Sequence, residues 1–161
     1  MAQPLFLAID LQDEVVCRNL HDNDGCLSSL NHGAMALPAT SWVYRAVARE
    51  AAKEAILEAI RAEEFAGAPS RVGAIHLFES ATDAALAADN WWQERRVILN
   101  VEIVFAVRVG RYDIHLLDVR ADRWEEAARA YWAAQRSTFP QSEVLVDGVV
   151  RVLDWERHAR H

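Results

Sequence analysis

The sequence predicts an α+β fold, a single domain over residues 1–161 with a split antiparallel sheet and flanking helices. Three observations predict it. Apolar residues recur at helical spacing from Val43 to Ile60, they alternate with a period of two from Val97 to Val109, and the two patterns do not follow one another in regular βαβ order.

The elements follow in chain order. Leu5-Phe6-Leu7-Ala8-Ile9 is a short apolar run that reads as a buried strand. Residues 11 to 41 keep no period and hold the turn formers His21-Asp22-Asn23-Asp24-Gly25, Ser28, Ser29, Asn31 and Gly33, so they read as a long irregular loop. A helix over 43–65 comes next. Val43, Val47, Ala48, Ala52, Ala55, Ile56, Ala59 and Ile60 form its inner stripe, and Arg49, Glu50, Lys53, Glu54, Glu58 and Arg61 fill the other face. Gly67 and Pro69 stop it. Residues 72–78 read as a second strand. Ser80 then caps a helix running to about Trp91, with Asp83 in its first turn.

Val97 to Val109 reads as a long strand, with Gly110-Arg111 turning the chain into a partner strand that carries Tyr112, Ile114 and Leu116. Asp122 is placed to cap a third helix, whose inner stripe is Trp124, Ala128, Tyr131 and Gln135. Pro140 stops that helix. Val144 to Trp155 reads as a closing hairpin, with Asp147-Gly148 as a type I′ turn.

Composition narrows the function. The chain carries 24 acids against 17 bases, a net charge of -7, so no basic stripe for a nucleic-acid backbone is expected. Lys53 is the only lysine, which leaves one candidate for any lysine chemistry. No apolar run approaches the roughly 20 residues of a membrane helix, and the first residues hold no signal-peptide core. With two cysteines only, a reducing cytoplasm is the expected location.

Metal ligation is the first chemistry to weigh. Cys17, His21, Cys26 and His32 are all ligand types, but gaps of three, four and five residues match no zinc knuckle. Leu20 stands where an EF-hand loop needs its first acid. No metal is expected. His76, inside an apolar strand, reads as a packed and hydrogen-bonded core residue. The segment Gln141-Ser142-Glu143 opens the last strand. A period of two puts Gln141 and Glu143 on one face, at a rim, where a carboxylate and an amide can orient a sugar hydroxyl and stabilise developing positive charge.

Several segments together carry a resemblance. Pro69-Ser70-Arg71 is followed by the strand through Phe78, then by Glu79-Ser80 and a helix with Ala84 and Ala85. Ala130-Tyr131-Trp132 precedes Glu143-Val144-Leu145-Val146-Asp147-Gly148-Val149-Val150-Arg151-Val152. Over roughly residues 4–155 this order resembles a bacterial branch of the ADP-ribosyltransferase superfamily, in which a split antiparallel sheet clasps NAD and some branches carry Gln-x-Glu. The resemblance implies a NAD-dependent transferase that passes ADP-ribose to an acceptor: a protein, a peptide or a small molecule. It implies that Glu143 and Gln141 are catalytic. Glu143 would hold the ribose 2′-hydroxyl and Gln141 would position the acceptor. It implies cofactor contacts from Arg71, Ser70, Phe78 and Ser80, with Arg71 toward a phosphate and Phe78 on the nicotinamide. The first strand, Leu5 to Ile9, lacks the arginine or histidine usual there; Arg18 and His21 lie beyond it.

A second class is an acidic, tryptophan-rich binding protein of the immunity or adaptor type, covering a basic partner surface. An open pocket around Glu143, Gln141 and Arg71 points to the enzyme, and its absence points to the binder.

Overall fold

The structure is a computed structural model, and it describes residues 3–29, 50–89 and 96–159. Its strands are β1 (Leu5–Ile9), β2 (Cys26–Ser28), β3 (Ile75–Phe78), β4 (Val97–Asp113) and β5 (Ser142–Val152). Its helices are α1 (Glu14–Asp22), α2 (Ala51–Glu64), α3 (Ala81–Ala87) and α4 (Trp124–Trp132). The fold is α+β, and every strand pair is antiparallel. All five strands belong to one sheet in the order β2-β5-β3-β1-β4, and a further β5–β4 pairing closes the circuit of β5, β3, β1 and β4. The core is built from Leu7, Ile9, Leu77, Phe78, Leu145 and Val146 of the strands, with Leu57, Ala128 and Tyr131 brought in by helices.

Several expected elements differ. Within the supposed loop 11–41, α1 and β2 form. Asp13 caps α1 by accepting from the Val15 and Val16 amides, and Val16 and Leu20 bury its inner face. The expected helix over 43–65 is described from Ala51 onward; residues 43–49 lie outside the described residues, as do Trp91, Trp92 and His32. Its inner stripe is rotated from the expected one. Glu54, Leu57 and Ile60 are buried, whereas Ala52, Ala55 and Ala59 face solvent. Alanine fits either face of a helix, so the alanine repeat misdirected the stripe.

Two expected turns are absent because both strands run straight through them. Gly110-Arg111 lies inside β4, which continues to Asp113, and Ile114–Leu117 is a 3-10 turn rather than a partner strand. Asp147-Gly148 lies inside β5. Gly148 is needed there for close approach: a Cβ would strike the Phe105 carbonyl and stand 2.7 Å from the Ala106 Cα. β4 carries register shifts between Ile103 and Phe105 and between Ala106 and Arg108. Its alternating stripe is therefore buried at Leu99 and Val101 but exposed at Val107 and Val109.

Candidate functional site

Glu143 is the second residue of β5 and lies between Phe78 of β3 and Tyr112 of β4 in the register. Its side chain is fully buried. The expected rim position is thus corrected, because β3 and β4 flank it along the sheet and α4 covers it with Tyr131. One carboxylate oxygen, Oε1, accepts from Arg71 Nη1 and from the Tyr131 hydroxyl. The other, Oε2, lies 3.3 Å from His76 Nδ1. Glu143 and Arg71, both marked by the sequence, are brought together.

Arg71 sits in the turn that leads into β3. Glu54, on the inner face of α2, holds Nε at 3.0 Å and Nη2 at 3.0 Å. Nη1 faces Glu143 and the Tyr131 oxygen, the latter at 2.8 Å. The guanidinium is thus divided between two carboxylates and a phenol, and its carbon lies 5.4 Å from the Tyr131 ring centre. Tyr112 stacks on Tyr131 at 4.8 Å, and Trp132 meets both rings edge-on while its Nε1 donates to the Leu57 carbonyl. Aromatic packing thereby seals the cluster on the α4 side.

The electrostatics follow from enclosure. Burial alone would raise the Glu143 carboxyl, but the charge of Arg71 and the hydrogen bonds of His76 and Tyr131 hold it below its ordinary value. Burial would lower Arg71, and Glu143 with Glu54 instead pushes it well above its ordinary value. The Tyr131 hydroxyl is pushed well up, by burial first, so it stays a proton donor. A carboxylate accepting from three donors has little capacity left for a ribose hydroxyl.

The other marked residues lie elsewhere or serve the fold. Ser70 donates to Glu58 Oε2 at 2.9 Å, which ties the turn to α2. Phe78 is a fully buried core residue, with no ring surface presented to a nicotinamide. Ser80 caps α3, its hydroxyl accepting from the Asp83 amide at 3.0 Å. Gln141 lies just before β5, and its backbone N–H donates to Asp113 Oδ1 at 2.9 Å. The conformation thus has Arg71, Ser70, Phe78, Ser80 and Glu143 all engaged within the protein, and these residues do not fit NAD as they stand.

Among the described residues, no group of three or more His, Cys, Asp or Glu side chains is placed to hold a metal. Cys17 donates to the Leu11 carbonyl and the His21 side chain is 83% exposed. Among the described residues, no helix is long and apolar enough to cross a membrane.

Glu54 and Tyr131 were missed as members of this cluster. Glu54 carried a signal: it stands three residues before Leu57 and six before Ile60, on the stripe those two define. Tyr131 read correctly as inward-facing, but nothing in its spacing tied its hydroxyl to Glu143.

A family model described as "Protein of unknown function (DUF2441)" matches residues 17–158. No curated protein matches the chain.

Proposed function

The chain belongs to the DUF2441 family, and we propose that it acts as a non-enzymatic protein-binding module of the adaptor or immunity type. One observation carries this reading. Val104, Val107 and Val109 of β4 are 49%, 56% and 54% exposed in the middle of a 17-residue strand. Exposed apolar residues concentrated on one strand mark an interaction surface more often than scattered ones do. Phe139 adds a separate anchor. It is 78% exposed on a loop whose backbone is clamped, so little ordering cost is left for binding. The net charge of -7 favours encounter with a basic partner protein.

The test is a double substitution, Val107→Asp with Val109→Asp, in a tagged chain expressed in its native host. Both side chains are exposed, so melting behaviour should hold while a partner captured by the wild type is lost. Equal capture by both proteins would remove β4 from the interface.

A second reading is transfer of ADP-ribose from NAD to an acceptor on an ADP-ribosyltransferase-like fold. The meeting of Arg71 with Glu143 favours it, because the resemblance marks both residues. It requires the cluster to open, since Glu143 is enclosed. Thermal-shift titration with NAD separates the two readings: a saturable rise that Glu143→Gln abolishes supports the transferase, and no shift supports the binding module.

A further inference from the structure

The two edges of β4 are unequally filled. Val101 pairs with Leu5 of β1 and also with Val152 of β5, so β1 and β5 lie on opposite edges of the strand. The pairing with β1 ends at Val101, whereas the pairing with β5 runs on to Asp113. Among the described residues, no strand pairs with the β1 edge of β4 from Glu102 onward. An apolar edge of this length is a place where another chain can lie.

Both register shifts fall on this stretch. Ile103 and Phe105 stand opposite consecutive residues of β5, as do Ala106 and Arg108, so Val104 and Val107 stand opposite none. A bulge re-aims its extra side chain, and these two valines are 49% and 56% exposed. Bulges also spoil an edge for ladder hydrogen bonds, so side chains must hold whatever lies there. The charges that flank the valines are ordered. Glu102 precedes the apolar run Ile103-Val104-Phe105-Ala106-Val107 and Arg108 follows it, both exposed. They stand opposite Arg151 and Asp147, four residues apart on β5, so both lie on one face of the sheet. Glu102 Oε1 accepts from Arg151 at 3.2 Å and Arg108 Nη1 donates to the Ala66 carbonyl at 3.1 Å, both at the surface, where such ties are weak. An acid at one end of an apolar run and a base at the other make the run complementary to its own reverse.

We infer that this surface takes a second copy of the chain, the two β4 strands lying antiparallel about a two-fold axis, with Glu102 of each copy opposite Arg108 of the other. The inference rests on the reading of β4 as an interaction surface and names its occupant. A two-fold contact is self-complementary, so one acid and one base in the sequence give two ion pairs across the interface. The valines of both copies close the middle. The pair also doubles the acidic charge that a basic partner protein meets.

The experiment is sedimentation equilibrium of the purified wild type, Glu102→Arg, Arg108→Glu and the double swap, each over a range of concentrations. The wild type should dimerise. Each single reversal places like charges opposite one another at both ends and should weaken the dimer about tenfold. The double swap restores opposite signs and should return the dimer to near its wild-type strength. Both positions are exposed, so melting temperatures should hold in all four proteins. A monomeric wild type overturns the inference, as does a dimer that the single reversals leave unchanged or the double swap fails to restore. A monomeric wild type that still captures a partner lost in the Val107→Asp, Val109→Asp protein removes the second copy alone and leaves β4 as an interaction surface.

Discussion

Arg71 and Glu143 stand 72 residues apart in the chain and form an ion pair inside the protein, with the Glu143 side chain wholly removed from solvent. Arg71 is the hub, because it also neutralises Glu54. Removing it strands two buried carboxylates. Arg71→Ala should therefore cost about 3–5 kcal/mol in chemical denaturation, the range for one partner lost from a buried pair. A loss under about 1 kcal/mol would put the pair in the class of solvated surface bridges.

Glu143→Gln is the companion test, and here burial reverses the expectation drawn from a rim position. A rim glutamate changes stability little and function greatly. The enclosed carboxylate accepts from Arg71, Tyr131 and His76, so its amide replacement places a donor where acceptors are needed. Stability should drop by about 1–3 kcal/mol, and thermal melting of the variant reads it directly.

Gly148 tests the strand crossing. A Cβ there collides with the backbone of Phe105 and Ala106, which cannot move aside as a flexible side chain would. Gly148→Ala should cost about 1–3 kcal/mol. Gly67 is the control, since a Cβ there meets nothing within 4 Å. Gly67→Ala should be neutral or slightly stabilising, and melting temperatures of the two variants side by side decide the matter.

How much of this was legible depended on whether a signal was local. Leu5 to Ile9 read as a strand because a short apolar run has few alternatives, and the structure places β1 there. Ser80 read as a cap because capping is settled within three residues. Gly110 and Gly148 misled, since a glycine between alternating residues marks either a turn or a close approach, and only the partner strand decides which. The partner of Gly148 is more than forty residues upstream. The cluster was half legible: Arg71 and Glu143 drew notice through the resemblance, and His76 read as a buried, hydrogen-bonded residue. Glu54 was assigned to the solvent face by its charge, and no sequence rule announced that Arg71 would hold it inside.

The chain should keep its melting temperature when a chelator is added. Cys17 and His21 share α1, but the first is tied to a backbone carbonyl and the second points into solvent. Structural zinc contributes directly to folding energy, so a marked loss on chelation would restore Cys17, His21, Cys26 and His32 as a site.

Asp113 supplies the last prediction. It ends β4, and its carboxylate accepts from the amides of His115, Ser137 and Gln141 at 3.0, 2.7 and 2.9 Å. Burial would raise its carboxyl, but these amide bonds, with the Ser137 hydroxyl, hold it below the ordinary value. A group depressed in this way contributes stability in full above its unfolded value of about 3.9, and the contribution is lost only below that, as pH falls through the depressed folded value. The Phe139 loop should therefore loosen at acid pH. The measurement is hydrogen exchange at the Ser137 and Gln141 amides, compared near neutral pH and well below the unfolded carboxylate value, at about pH 2.5, after correction for the intrinsic pH dependence of exchange. Protection should fall at the lower pH in the wild type. In Asp113→Ala it should be low at both values, because the acceptor is gone and nothing remains to titrate. Unchanged protection of these two amides in Asp113→Ala would show that the loop is held by other contacts.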